Sequence, residues 1–348
     1  MASCTVSEGQ SLVFVEPADL GETAADDGDA IDLDHVRPDL REVLDRHDLL
    51  LDVARPEAVA KRRKLGFRTA RENVDDLCDP GSFVEYGGLV IAGRRLRNPV
   101  EELIRTTPAD GMVTGVGRVN GDIFGPEASR CVVMSYDYMV LAGTQGMKNH
   151  EKTDRLFELA EKWRLPVIYF SESGGGRPGD TDRVSGGGIF NVKAFMLQGR
   201  LSALVPQIGI TNGRCFAGAA VLLGCCDVLL ATEGSTIGVG GPAVIEGGGL
   251  GVYTPDEVGP LSVQVPGGVV DIVVRDEAEA VEAAKRYLSY FQGRLPTWSC
   301  ADQRRLRHLI PENRVRVYDI REVIETLADE GTVLELRKGF GLGMVTAL

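Results

Sequence analysis

The chain has 348 residues, 43% of them hydrophobic and 26% charged, which fits a folded globular protein of about two domains' length and excludes a wholly disordered or fibrous chain. Its 38 Lys and Arg against 51 Asp and Glu leave a net charge of −13, a field that opposes a phosphate backbone and excludes a generic nucleic-acid partner. No run of 18 apolar residues occurs and no basic segment leads into an apolar one at the N-terminus, so neither a membrane span nor a secretory signal is expected, and the expected location is cytoplasmic.

In chain order, residues 1–55 read as an acidic mobile tail and linker, since Glu16, Asp19, Glu22, Asp26, Asp27, Asp29, Asp32 and Asp34 precede the first Arg. From Pro56 a basic helix is expected to run to about Asp76. It carries Lys61, Arg62, Arg63, Lys64, Arg68 and Arg71, either as a solvated face or as a dock for an acidic partner. The middle of the chain alternates short β-branched runs with segments of period near 3.6, the pattern of an α/β fold. Strands are expected over 111–119, 131–137, 167–170, 207–210, 228–231 and 236–239, and helices over 150–163, 189–204 and 218–224. Asp276 and Glu279 have capping-box spacing and open a helix to about Gln292. Two shorter helices follow, over 303–309 and 320–328.

Seven scattered cysteines without C-x-x-C spacing and four unpaired histidines argue against a disulfide framework and against a metal site. Cys225 and Cys226 read as buried structural thiols on an apolar helix end. Glycine is the positive signal: 43 residues, about 12% against a typical ~7%. Two glycine-rich segments each follow an expected strand, Ser171-Glu172-Ser173-Gly174-Gly175-Gly176-Arg177 and Gly213-Arg214-Cys215-Phe216-Ala217-Gly218. Such turns leave backbone N–H groups bare for an anion. If the anion develops during reaction, as on a thioester oxygen becoming an enolate, they form an oxyanion hole worth ~3–4 kcal/mol per donor. Close helix–sheet packing is the other reading of the same glycines, and the one preferred for Gly238-Val239-Gly240-Gly241.

Gly111-Met112-Val113-Thr114-Gly115, Gly143-Thr144-Gln145-Gly146, Glu172-Ser173-Gly174-Gly175, Gly213-x-Cys215-x-x-Gly218 and Gly241-Pro242, in this order and spacing, resemble the carboxyltransferase (beta-type) subunit of biotin-dependent acyl-CoA carboxylases, in its N-terminal half. The resemblance implies an α/β, crotonase-like spiral of ββα units and transfer of a carboxyl group from carboxybiotin, carried on a separate protein or domain, to the α-carbon of an acyl-CoA. It places the oxyanion hole on the backbone N–H groups of Gly174, Gly175, Gly176, Ala217 and Gly218, and no metal on this chain. The family's Ser-Gly-Gly-Ala-Arg-Ile appears here with Gly176 for Ala and Pro178 for Ile. Its Pro-Cys-Ala-Gly-Gly appears as Arg214-Cys215-Phe216-Ala217-Gly218, where Phe216 is expected to narrow the acyl pocket.

CoA is expected along Gly143, Thr144, Gln145, Gly146, Lys148, His150 and Lys152, with Arg177; Lys148, His150 and Lys152 otherwise form an exposed basic turn. Residues 56–331 are expected to be the N-terminal carboxyltransferase domain, and 332–348 the opening, unpaired strand of a second domain that is absent. The expected partners are a C-terminal carboxyltransferase half, a biotin carboxylase and a biotin carrier protein, in a hetero- and homo-oligomer that the isolated chain needs for activity. Two alternatives stay open: an enoyl-CoA hydratase or isomerase using Glu172 as its carboxylate, and a non-catalytic CoA-binding scaffold.

Overall fold

The computed structural model describes residues 32–180, 182 and 193–348. Its described residues divide into two units, one ending at Val43 and the other covering 44–348. Most of the expected acidic tail lies outside the described residues. Its last part is helical, since α1 (Pro38–Asp48) falls where linker was expected.

The expected single basic helix is two. Pro56 fits the first turn of α2 (Pro56–Lys64), where its missing N–H costs nothing. The chain then leaves the helix through Gly66, at φ +84°. It re-enters as α3 (Ala70–Leu77), whose start is fixed by a reciprocal cap: the Thr69 hydroxyl accepts from Glu72 N–H, and the Glu72 carboxylate accepts from Thr69 N–H. This break turns α3 inward, so that Val74 and Leu77 are buried.

A short β1 (Val84–Glu85) and α4 (Val100–Thr106) lead into β2 (Met112–Arg118), α5 (Gly121–Ala128) and β3 (Arg130–Tyr136). There follow α6 (Met147–Trp163), β4 (Val167–Phe170), α7 (Ala194–Leu201), β5 (Gln207–Thr211), β6 (Arg214–Phe216), α8 (Gly218–Gly224), β7 (Val228–Thr232) and β8 (Thr236–Gly238). After α9 (Pro242–Gly247) and α10 (Leu261–Gln264) come β9 (Ile272–Val274) and α11 (Glu277–Ser289). All six expected strands form within two residues of their expected ends. Of the expected helix over 189–204, residues 189–192 lie outside the described residues and the rest yields α7. Asp276 caps α11 by accepting from Glu279 N–H, but the Glu279 carboxylate returns to Arg275 N–H instead of completing a box.

Seven strands form one sheet in the order β1-β2-β3-β4-β5-β7-β9, antiparallel through β3 and parallel from there on. The displaced strands β6 and β8 pair with each other in a separate parallel sheet. Alternate side chains of the large sheet feed two cores. Val132, Met134 and Tyr169 join Leu156, Phe157, Leu197 and Leu222 on one face. Val133, Ile168 and Ile210 join Val74, Leu77, Val281 and Leu288 on the other. Each fully buried Leu, Ile or Phe contributes roughly 1.5–3 kcal/mol, so two covered faces hold the parallel strands rigidly, as parallel sheets require.

The last segment departs from expectation. After α12 (Leu306–Leu309) and α13 (Ile320–Leu327), β10 (Glu335–Leu336) pairs antiparallel with β11 (Thr346–Ala347). Leu334 and Leu348 also exchange backbone hydrogen bonds. The expected long unpaired strand is therefore a hairpin, anchored where the Arg337 guanidinium meets the buried Asp271 carboxylate at 2.6 Å.

Candidate functional site

The two glycine-rich loops lie edge to edge where β4 and β5 end. Ser173 N–H donates to Arg214 C=O at 2.7 Å, and Phe216 N–H donates to Ser173 C=O at 3.0 Å. A β-carbon on Gly175, which sits at φ +95°, would lie 3.1 Å from Cβ of Ala217. Only a residue tolerant of that backbone region and lacking a side chain fits there.

The hydrogen-bond ledger separates the five expected donors. Gly174 N–H donates to Ala142 C=O at 2.9 Å, Gly175 N–H to the Ser173 hydroxyl at 3.1 Å, and Ala217 N–H to Gly238 C=O at 2.9 Å. These three are already occupied. Gly176 and Gly218 donate to no partner among the described residues. Gly176 is exposed and Gly218 half-buried. Gln145 brackets the first of them: its N–H donates to Gly175 C=O and its C=O accepts from Arg177 N–H, both at 2.8 Å. Its side chain packs on the second, against the Cα of Gly218.

The residues expected around CoA are divided in the same way. Lys152 is 7% exposed, and its ammonium donates to the carbonyl groups of Ala109 and Met112. Burial pushes its pKa down to about 8; it cannot reach a phosphate in solvent. The Arg177 side chain is 1% exposed and ion-paired with Asp110. It also donates to Thr144 C=O at 2.8 Å, tying the 143–146 segment to the turn before β2 instead of facing a ligand. Burial raises the Asp110 pKa while Arg177 opposes the rise. Lys148 is partly exposed and paired with Glu151 at 2.8 Å, and His150 is half-buried on the first turn of α6. Gly143 is buried, with Thr144 beside it.

Other expectations also shift. Phe216 is 4% exposed and packs beneath Gly241 and Gly238, where added β-carbons would lie 3.6 Å from its ring. Cys225 is exposed, whereas burial raises the Cys226 thiol. Cys215 is buried against the Ser171 hydroxyl at 3.1 Å, and burial pushes its pKa up to about 12, which removes it as a nucleophile.

A cavity of about 700 Å³, unforeseen from sequence, is lined by residues outside both loops, one of which, Arg62, reaches Glu172 of the first. Its lining includes Arg55, Lys61, Arg62, Arg105, Tyr138 and Val140. Arg55 is held by Asp137, whereas Lys61 and Arg105 have no ion-pair partner among the described residues. From Val140 the chain continues through Leu141 to Ala142, whose carbonyl holds Gly174. The segment that lines the cavity at Val140 is thus the one that, two residues on, holds the first loop. Four consecutive basic residues at 61–64 concealed that Arg62 alone among them is buried.

Glu172 is 4% exposed and forms a bidentate pair with Arg62, one bond measuring 2.8 Å. Burial raises its pKa and Arg62 pulls it back.

Residues 61–348 match the carboxyl transferase domain family. The chain is 31% identical over 301 residues to the methylmalonyl-CoA carboxyltransferase 12S subunit of Propionibacterium freudenreichii subsp. shermanii, covering 83% of this chain and 54% of that protein. It is 30% identical over 328 residues to the biotin-dependent long chain acyl-coenzyme A carboxylase beta4 subunit of Mycobacterium tuberculosis (strain ATCC 25618 / H37Rv), covering 88% and 58%. Among solved structures, a single-chain, multi-domain long-chain acyl-CoA carboxylase superposes with a TM-score of 0.85 at 57% identity, over 90% of this chain and 31% of that one. A transcarboxylase 12S structure, described as a hexamer, superposes with a TM-score of 0.72 at 26% identity, over 90% and 61%. These likenesses bear out the crotonase-like α/β fold, and the chain spans about half the length of the curated relatives it matches. With a family match across most of its length and both glycine-rich loops in place, the chain belongs to the carboxyl transferase domain family.

Proposed function

We propose that this chain is the acyl-CoA-binding part of a biotin-dependent acyl-CoA carboxylase, holding a long-chain acyl-CoA while its α-carbon is carboxylated. The observation that carries the reading is the pair of N–H groups, Gly176 and Gly218, that donate to nothing among the described residues, on touching loops linked to a cavity wall by the Arg62–Glu172 pair. Lys61 and Arg105 supply charge for the CoA phosphates at the cavity wall. The acyl thioester then extends along Tyr138–Val140 towards the loops. The two N–H groups stabilise the oxygen as the α-carbon loses its proton, in a setting pre-organised by the bonds that hold Gly174, Gly175 and Ala217. Carboxybiotin, arriving on a separate carrier, would supply the carboxyl group by cleavage of its N–C bond, and the nitrogen freed there would take the proton that the α-carbon gives up. The 57% identity to a long-chain acyl-CoA carboxylase supports a long acyl group.

The partners follow from the same reading: a second carboxyltransferase half, a biotin carboxylase and a biotin carrier protein, in an oligomer. The hydratase alternative loses its base, because both Glu172 oxygens accept from Arg62 in a buried pair. The scaffold alternative differs in outcome only. The test is calorimetric titration of the full chain with CoA and palmitoyl-CoA, followed by incorporation of labelled bicarbonate into palmitoyl-CoA with ATP and the partner proteins. Binding with incorporation is expected. Binding without incorporation in the complete assembly favours a scaffold, hydration of crotonyl-CoA by the chain alone favours a hydratase, and no CoA binding overturns the reading.

A further inference from the structure

The Arg62–Glu172 pair joins three parts of the candidate site. Arg62 lines the cavity from α2. Besides both oxygens of Glu172, its guanidinium meets Arg68 C=O through Nε at 2.8 Å, and lies 4.7 Å from the centre of the Phe67 ring and 5.8 Å from that of Tyr138. Glu172 is the second residue of the first loop. Its carboxylate also abuts Gly213, the residue opening the second loop: a β-carbon there would lie 2.6 Å from Oε1. One rigid fork thus touches the cavity wall and the base of both loops that carry the free N–H groups.

A buried ion pair is a poor source of stability, because desolvation of two charges offsets their attraction and an apolar pair of similar volume serves as well. What a bidentate guanidinium–carboxylate pair adds is a fixed angle and distance between the elements it joins. We propose that Arg62 and Glu172 are positioning residues, setting the spacing of the Gly176 and Gly218 N–H groups relative to the cavity so that both converge on one thioester oxygen. This inference rests on the acyl-CoA reading above and adds to it two residues that act through the loops and not on the reacting atoms.

The test uses the full chain and acyl-CoA labelled with carbon-13 at the thioester carbonyl, read by difference infrared spectroscopy, beside calorimetric affinities for free CoA. In the wild-type chain the bound carbonyl band moves to lower frequency, because two donors polarise it. The double variant Arg62→Met/Glu172→Leu keeps volume and removes both charges. Read at a saturating concentration of the labelled acyl-CoA, so that any change in affinity from the lost Arg62 charge drops out, it is expected to lose most of the band shift. A folded double variant with the wild-type shift overturns the proposal. If that variant does not fold, Arg62→Lys, which keeps the charge and loses the fork, is read instead: a reduced shift supports the proposal and an unchanged one overturns it. Absence of CoA binding by the wild-type chain refutes the underlying function, whereas normal CoA binding without any carbonyl shift refutes only the oxyanion geometry and this inference with it.

Discussion

The side-chain oxygen of Gln145 fills the space that a β-carbon on Gly218 would need, while its amide nitrogen donates to the Tyr136 hydroxyl at 2.7 Å. Gly218→Ala therefore forces a choice. Either Gln145 swings away and gives up a hydrogen bond worth about 1 kcal/mol, or the loop backbone shifts at the ~1–3 kcal/mol typical of overpacking. Urea denaturation is expected to show a loss in that range. Adding Gln145→Ala makes room, so the double variant should recover part of the loss; failure to recover would place the strain elsewhere.

Ala217 stands where the backbone adopts φ +56° and ψ −128°, a region sparsely populated by any residue with a β-carbon and costing roughly 1–3 kcal/mol. Ala217→Gly relieves that strain but adds chain entropy of about 0.5–1 kcal/mol to the unfolded state. The difference favours the variant, by up to about 2 kcal/mol. A higher urea midpoint with an unchanged denaturant slope is the expected result.

Lys61 and Arg105 at the cavity should contribute to CoA affinity, unlike Lys148, which is engaged with Glu151. Exposed charge contacts are worth about 0.2–1 kcal/mol each. Lys61→Ala and Arg105→Ala should each weaken CoA binding about two- to fivefold, more at low salt than at high salt, whereas Lys148→Ala should change it little. Equal losses at all three positions would move the phosphate site onto the start of α6.

Arg177→Ala would leave Asp110 buried and unpaired, a change that typically costs about 3–5 kcal/mol. The expected outcome is a large drop in melting temperature rather than a selective loss of CoA affinity. A stable variant defective only in CoA binding would restore Arg177 as a ligand.

Lys152 provides a pH signature. Its folded pKa, lowered to about 8, lies below the ordinary value of 10.5, so the unfolded chain holds the proton more tightly between those two values. Stability contributed by this residue is therefore lowest below pH 8 and rises between about pH 8 and 10.5. The difference in unfolding free energy between the wild type and Lys152→Met should move in favour of the wild type across that window, by up to roughly 3 kcal/mol. A difference that does not vary with pH would show that the ammonium is not desolvated.

Local pattern made much of this protein legible. Short β-branched runs marked β2, β3, β4, β5, β7 and β8, because strands buried on both faces are apolar along most of their length. The glycine-rich loops and the Ala217 replacement were also visible, because tight strand-to-helix turns restrict residue type at each position. Tertiary structure decided which parts of those motifs are available. Three of five candidate N–H groups are taken by Ala142, Ser173 and Gly238, and no spacing rule shows which carbonyl will arrive. The same holds for charge. Arg62 meets Glu172 across 110 positions and Arg177 meets Asp110 across 67, so two residues that read as solvated or ligand-binding cations are buried counter-ions. A charged side chain carries no local mark of its burial: its fate depends on whether folding brings an opposite charge to it, and that is settled only when the sheet and the helices covering it have closed.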